Sequence, residues 1–418
     1  MAQAKTFEVQ VSNDNRWTVA EICATPDDGV RVAESLLAAG KGDAVRVLQD
    51  LGEDRRPRTI FEKAGVGRPE KPITINAIED SPVCQSTFDV FAFDARLAAS
   101  RLMRQFLDEY GLTALELLYD FGRLRQIVRN DVLYPQALHR LAGIQARKTG
   151  GKPAERIDSL HRIILDLIER ARDNADILRF HAILAEQGVA AMVAAVGKEF
   201  QGDYAVYLKG GAVARLLNED VEWNGKVSLL CDQFERGPDG EALSFLDDAL
   251  AEILDGGAAV QSLMGGQSDL GSALRNLTLL SYGACTVKGG RNSSLPRLNA
   301  AMGRTRLTRS RQMLVGRVER ALKGTGPLTR ESPQADRAAF VNLIGMLCAP
   351  AGLIGGPGMS EAITLRARLS LAGEGGDLTA EEAIRQIQMM LPNRAVRLGY
   401  LLDLAHSPFG QKNPMMAI

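Results

Sequence analysis

The chain has 418 residues, enough for two or three domains that each bury a core, and its 45% hydrophobic and 24% charged content is that of an ordinary globular protein. A formal net charge of −1 excludes a uniformly basic nucleic-acid coat and leaves room only for local patches. The five cysteines (Cys23, Cys84, Cys231, Cys285 and Cys348) show no short spacing, which argues for free thiols and against a disulfide framework or a zinc site.

Phe7, Val9 and Val11 alternate with polar residues, a strand pattern, and Asn13-Asp14-Asn15 supplies turn chemistry. Trp17 to Ala24 reads as the returning strand. Thr25-Pro26-Asp27-Asp28 has an N-cap followed by proline at the first helical position, opening a helix to about Ala39 that buries Val30, Ala33 and Leu37 and ends at Gly40. Val45 and Val47 mark a third strand, and Thr59 to Phe61 a fourth. The order ββαββ describes a small α+β module over residues 1–64. Its opening Phe7-Glu8-Val9-Gln10-Val11 resembles the first strand of peptidoglycan-binding SPOR domains over those five residues. The module as a whole reads as a small interaction or dimerisation unit. Residues 65–85, with Gly65, Gly67, Pro69, Pro72 and Pro82, read as a linker.

From 86 to 200 the period becomes helical. Phe93, Leu97, Leu102, Phe106, Leu107 and Tyr110 recur at three- to five-residue steps with Arg96, Arg101, Arg104, Asp108 and Glu109 between them. Gly111 ends that run, and Thr113 with Glu116 forms a capping-box pattern ahead of the next helix. After Pro153 a stripe of Ile157, Leu160, Ile163, Ile164, Leu167 and Ile168 repeats the design. Helix continues from Asp176 to about Glu199. Residues 203–217 read either as a short hairpin or as a helix broken at Gly210-Gly211, and Asn224-Gly225 as a turn. Leu243 to Leu254 returns to helix. A glycine-rich loop follows Pro350, and Thr379 with Glu382 marks a helix start that Pro392 closes. Val396 to Leu404 forms a last short helix, and the tail from Ser407 reads as loosely held. The fold class is therefore mostly α, a multi-helix bundle or array, with the small N-terminal α+β domain. The helical part divides into residues 86–287 and a basic segment, 288–418.

Charge is segregated. Thirteen acids from Glu199 to Asp255 face four bases, whereas eleven bases from Lys288 to Arg330 face the single acid Glu319. The predicted helix within residues 305–322 carries Leu307, Leu314, Val318 and Leu322 on one side. Arg304, Arg306, Arg309, Arg311, Arg317 and Arg320 supply forks suited to carboxylate and phosphate. Three readings follow: a solvated face balanced by the acidic segment, a surface for an acidic protein partner or a second copy, and a site for a phosphate-bearing ligand. Nucleic acid is disfavoured because the stretch holds no aromatic residue to stack on bases. Gly356, Gly358 and Ser360 form a second candidate anion loop at a helix start, though the lysine ending of a P-loop is missing and a tight inter-helical turn is the simpler reading.

His139, His161, His181 and His406 never stand three or four residues apart, so no metal-binding pair arises, and no nucleophile elbow, kinase set or dinucleotide fingerprint is present. No catalytic residue, cofactor or metal ligand is named. No basic-plus-apolar leader opens the chain, and no window approaches 18 uninterrupted apolar residues, so a cytoplasmic protein without a membrane span is expected. The expected function is a helical scaffold or regulatory adaptor that binds an acidic protein partner or itself. The alternatives are a regulator binding an anionic ligand through the 304–311 arginines, and an enzyme whose site is assembled from distant residues.

Overall fold

The computed structural model describes residues 6–13, 16–39, 41, 44–49, 58–64, 73–172, 174–287, 289, 293–372 and 378–413. Asp14-Asn15, Gly40, the first part of the linker (65–72), Lys288, Arg291 and the tail beyond 413 lie outside the described residues. Two compact units emerge, Met1–Ile73 and Thr74–Ile418.

The first unit is an antiparallel sheet with one helix on one face. Strands β1 (Phe7–Asn13), β2 (Arg16–Cys23), β3 (Ala44–Gln49) and β4 (Arg58–Ala64) are ordered β2-β1-β3-β4, with α1 (Pro26–Ala38) between β2 and β3 in sequence. Alternation decides the buried face: Phe7, Val9, Val11, Val45 and Val47 meet Ala33, with Val30 and Leu37 packed beside them. Thr25 caps α1 by accepting from the amide of Asp28 at 3.2 Å, as its sequence position predicts. A Cβ on Gly29 would stand 2.9 Å from Val47, so glycine here lets α1 approach the sheet.

The second unit is helical. A 3-10 turn (Phe88–Phe91) leads into α2 (Phe93–Leu102), α3 (Arg104–Tyr110), α4 (Ala114–Tyr119), α5 (Phe121–Val128), α6 (Leu133–Thr149) and α7 (Pro153–Arg170). Next come α8 (Ala175–Gln187), α9 (Val189–Glu199), α10 (Gly202–Leu217), α11 (Trp223–Glu235), α12 (Gly240–Asp255), α13 (Gly257–Met264) and α14 (Leu270–Ser281). The chain closes with α15 (Leu295–Arg304), α16 (Thr308–Leu322), α17 (Pro333–Leu347), the two-residue strands β5 (Cys348–Ala349) and β6 (Gly352–Leu353), α18 (Gly356–Ser370), α19 (Ala380–Met390), α20 (Arg394–His406) and α21 (Pro408–Lys412). The chain is thus mostly α, with a small N-terminal α+β unit.

Five sequence expectations are corrected. The Phe93–Tyr110 run is two helices that meet at Met103, and the predicted 176–199 helix breaks at Gly188, whose φ is 92°. Residues 202–217 form one unbroken helix: Gly210 and Gly211 are not breakers but the surface on which Tyr119 and Ile177 pack. Asn224-Gly225 is no turn. It lies in the first turn of α11, where the Asn224 amide donates to Ser262 and the Asp220 carboxylate occupies the space a Gly225 side chain would need. After His406 the chain adds α21, capped by Ser407, whose hydroxyl accepts from the amide of Gly410.

Among the described residues, no helix is long and apolar enough to cross a membrane.

Candidate functional site

The site starts from α12. This helix is buried along its second half, with Leu246, Leu250, Ile253 and Leu254 all enclosed, yet it carries Asp248, Glu252 and Asp255 at four- and three-residue steps. That spacing aligns the carboxylates along one side. Buried carboxylates need partners, and the partners are arginines of α2, α3 and α16. Glu252 accepts from Arg96 and from the amide of Leu115. Asp248 meets Arg309 at 3.0 Å, and its carboxyl is pushed up to about 6 by burial against the pull of Arg309 and Arg96. Neighbouring Asp247 caps α16 from outside, accepting from the amides of Arg309 and Ser310 at 2.8 and 2.9 Å.

Asp255, the last residue of α12 and 3% exposed at its side chain, is the centre of a different arrangement. Arg101 grips both its oxygens, at 3.0 and 2.9 Å. Arg320 approaches the same carboxylate at 3.4 Å and Arg104 at 3.9 Å. Arg317 instead donates Nη1 to the Asp255 carbonyl at 2.8 Å. Burial pushes the Asp255 carboxyl up, but the Arg101 hydrogen bonds and the surrounding cations overcome it and hold the group below the usual aspartate range. The four arginines have little else to neutralise them. Arg104 also meets Asp108 at 3.4 Å.

These groups line a cleft of about 990 Å³ whose far wall is the segment Asn76–Pro82. Its lining holds six lysines and arginines against four acids, and of the six, Lys323 is paired outside the cleft with Glu319 and Glu361 and Arg104 with Asp108. The positive charge gathers around Asp255, and Arg317 feels it most. Burial lowers its pKa, the like charges of Arg320 and Arg104 lower it further, and its Nε is enclosed with no hydrogen-bond partner among the described residues. The N-terminus of α13 begins at the same place: Gly257 lines the cleft, and a Cβ on Gly256 would stand 2.8 Å from Arg104. Its free amides and positive dipole end add to the cationic field.

The residues singled out by sequence are thus distributed over several environments. Arg317 and Arg320 enter the cleft. Arg309 pairs with Asp248 and lies 4.4 Å from the Phe93 ring centre. Arg311 donates to the carbonyl of Ser281 at 2.8 Å. Arg304 and Arg306 are exposed and make no hydrogen bond or ion pair among the described residues. At the second candidate loop, the Glu319 carboxylate stands against Gly358, 2.5 Å from where a Cβ would be, and Ser360 is fully buried. An anion of the chain's own already faces that helix start. Arg101 and Arg104 are the members the sequence reading did not single out. Their signal lay across the chain, in the buried acids of α12 that require cations.

No known protein family, curated protein or solved structure matches this chain. The five-residue likeness at Phe7–Val11 therefore stands alone. Among the described residues, no group of three or more His, Cys, Asp or Glu side chains could hold a metal ion. Three histidines have single partners, His161 the Tyr134 hydroxyl at 2.6 Å, His181 the Glu219 carboxylate at 2.9 Å and His406 the Leu402 carbonyl at 2.7 Å. Cys231 is a core thiol, its pKa pushed up to about 12 by burial.

Proposed function

We propose that the helical unit binds an anionic, phosphate-bearing ligand in the cleft between α2, α3, α13 and α16, and that this binding is how the protein serves a regulatory role. One observation carries the reading: three guanidinium groups converge on the single carboxylate of Asp255, a fourth, Arg317, is bound only to the carbonyl of that residue, and the enclosed Nε of Arg317 has no acceptor among the described residues. A buried donor left unpaired costs free energy, and four cations around one anion repel one another. An oxyanion with several acceptor oxygens relieves both costs, and arginine forks match its geometry. The site chosen differs from the 304–311 cluster, because Arg309 and Arg311 are occupied within the chain.

Thermal unfolding in the presence of inorganic phosphate, pyrophosphate and a nucleoside triphosphate tests this. A ligand at a hundred times its dissociation constant adds about 2.7 kcal/mol of stability. The shift should vanish in Arg317→Gln/Arg320→Gln and persist in Arg304→Gln/Arg306→Gln. If no phosphate compound raises the midpoint, the proposal fails.

A second reading rests on Arg304 and Arg306. Exposed and unpaired among the described residues, they suit contact with an acidic protein partner or a second copy, the scaffold role expected from charge segregation. Arg304→Glu/Arg306→Glu should abolish recovery of such a partner, and unchanged recovery would remove the reason for naming them.

A further inference from the structure

Arg317 and Arg320 belong to two cavities at once. Besides the cationic cleft they line a second hollow of about 720 Å³, which adjoins the first at Gly257. Its chemistry is different. Val260 and Met264 of α13 face Leu270, Leu274 and Leu277 of α14, each set at helical spacing along one side of its helix. Val260, Met264, Leu274 and Leu277 are each less than a tenth exposed, so the hollow lies over their packed side chains, and Gly265, with φ 70°, makes the turn between the two helices. Apart from the two arginines, the polar side chains of the lining are Gln261 and Gln267. Gln267 is satisfied within the chain, donating to the Met264 carbonyl at 3.0 Å and accepting from Asn276 at 2.7 Å. The hollow therefore offers an aliphatic wall with its charge concentrated at one end.

We infer that the ligand is an amphiphilic anion, with a phosphate head between Arg317 and Arg320 and an alkyl or acyl chain laid along α13 and α14. This rests on the reading of the arginine cleft as an anion site and adds the class of ligand. Charge confined to one end fixes the polarity of the ligand. An apolar hollow of this size, with a few convergent polar groups, is the ordinary form of a small-molecule site. A soluble inorganic anion would use the arginines and leave the small part of the aliphatic wall that meets solvent uncovered. A chain attached to that anion removes the wall from water, and each methylene buried strengthens binding.

Calorimetric titration of the full chain with inorganic phosphate, dodecyl phosphate below its micelle concentration, and neutral dodecyl maltoside separates the possibilities. Dodecyl phosphate should bind at least tenfold more tightly than inorganic phosphate, a difference of about 1.4 kcal/mol, and dodecyl maltoside should not bind. Ala273→Trp, which fills the hollow from α14, should remove the tenfold advantage and leave inorganic phosphate affinity unchanged. Gln261→Trp does the same from an exposed position on α13 and covers the case in which the first variant folds poorly. Equal affinity for the two phosphates, or tight binding of the neutral amphiphile, overturns the inference while leaving the anion site standing. Binding to phosphatidic acid vesicles without binding to monomeric dodecyl phosphate also overturns it, since the head would then be recognised at a membrane surface. If neither phosphate binds, the anion reading and this inference fall together.

Discussion

Arg317 and Asp255 meet through the wrong oxygen: the guanidinium donates to the Asp255 carbonyl at 2.8 Å, while the carboxylate of that residue is held by Arg101. Arg317 is thus a cation beside an anion that is already committed. The Asp255 carboxylate takes the place that an external oxyanion would otherwise fill, and it competes with any ligand for the same forks.

Replacing Asp255 with asparagine should therefore move affinity and stability in opposite directions. Stability should fall by about 1–3 kcal/mol, the scale of hydrogen bonds to charged groups, because Arg101 loses its two-point partner. Inorganic phosphate should bind more tightly, because the positive charge there is no longer offset and the competitor is gone. The wild-type contribution has a definite pH sign. The folded carboxyl is held below its ordinary value, so its stabilisation is present at neutral pH and is lost as pH falls below the unfolded aspartate value near pH ~4. Chemical denaturation from pH 7 to 3, run beside phosphate titration, reads both effects. Weaker phosphate binding by the variant would contradict the account.

Asp248 should behave in the opposite sense. Burial, opposed by Arg309 and Arg96 and helped by the carboxylates of Glu252 and Asp247, pushes its carboxyl up to about 6. Between the unfolded value near pH ~4 and that folded value, the native state holds a proton that the unfolded chain has released. Stability contributed by this group is therefore greatest in acid and declines as pH rises through 6, at a slope of up to about 1.4 kcal/mol per pH unit. Asp248→Asn should flatten the profile between pH 4 and 6. A variant profile parallel to wild type would show that another group titrates there.

The features legible in the sequence were those written within a few residues of one another. Thr113 and Glu116 form a reciprocal capping box, as do Thr379 and Glu382, because the chemistry of both partners lies three positions apart. The alternation of Phe7, Val9 and Val11 specified the buried face of β1 for the same reason. Gly210-Gly211 and Asn224-Gly225 misled because their meaning is a close approach by Tyr119 and Asp220, which no local pattern contains. The site divides in the same way. The basic character of α16 was visible, but which arginines remain available was decided by α12, and Arg101, Arg104 and Arg317 are gathered around its last residue, Asp255.

Elsewhere in the helical unit, Lys226 and Glu116 form a buried ion pair, both almost inaccessible, in which Lys226 also donates to the Leu217 carbonyl at 3.0 Å. Burial drives the Glu116 carboxyl upward in spite of the lysine beside it, so the pair is costly to dismantle from one side. Lys226→Met should cost about 3–5 kcal/mol, because it strands a buried carboxylate. Adding Glu116→Gln should recover most of that loss, since the amide can still serve Thr113 without carrying charge. Denaturant midpoints of the single and double variants form the test. Losses that simply add would mean that the two groups do not act as a pair.

The helix α10 offers a case where two effects of similar size oppose each other. Alanine in place of Gly211 gains about 1 kcal/mol of helix propensity. Its Cβ, however, would stand 2.7 Å from Ile177 and 2.9 Å from the Tyr119 ring. Tyr119 cannot swing away cheaply: its hydroxyl donates to the Tyr207 carbonyl at 2.7 Å, and its ring packs between Phe91 and Tyr207 with centroids 5.2 Å apart. Overpacking of this kind costs about 1–3 kcal/mol. The clash should therefore outweigh the propensity gain, and Gly211→Ala should unfold at lower denaturant than wild type. A Gly143→Ala control has nothing within 4 Å of the new methyl, and it should be stabilised by the propensity term alone. If both variants gained stability, the packing of Tyr119 against α10 would not be what keeps glycine in the middle of that helix.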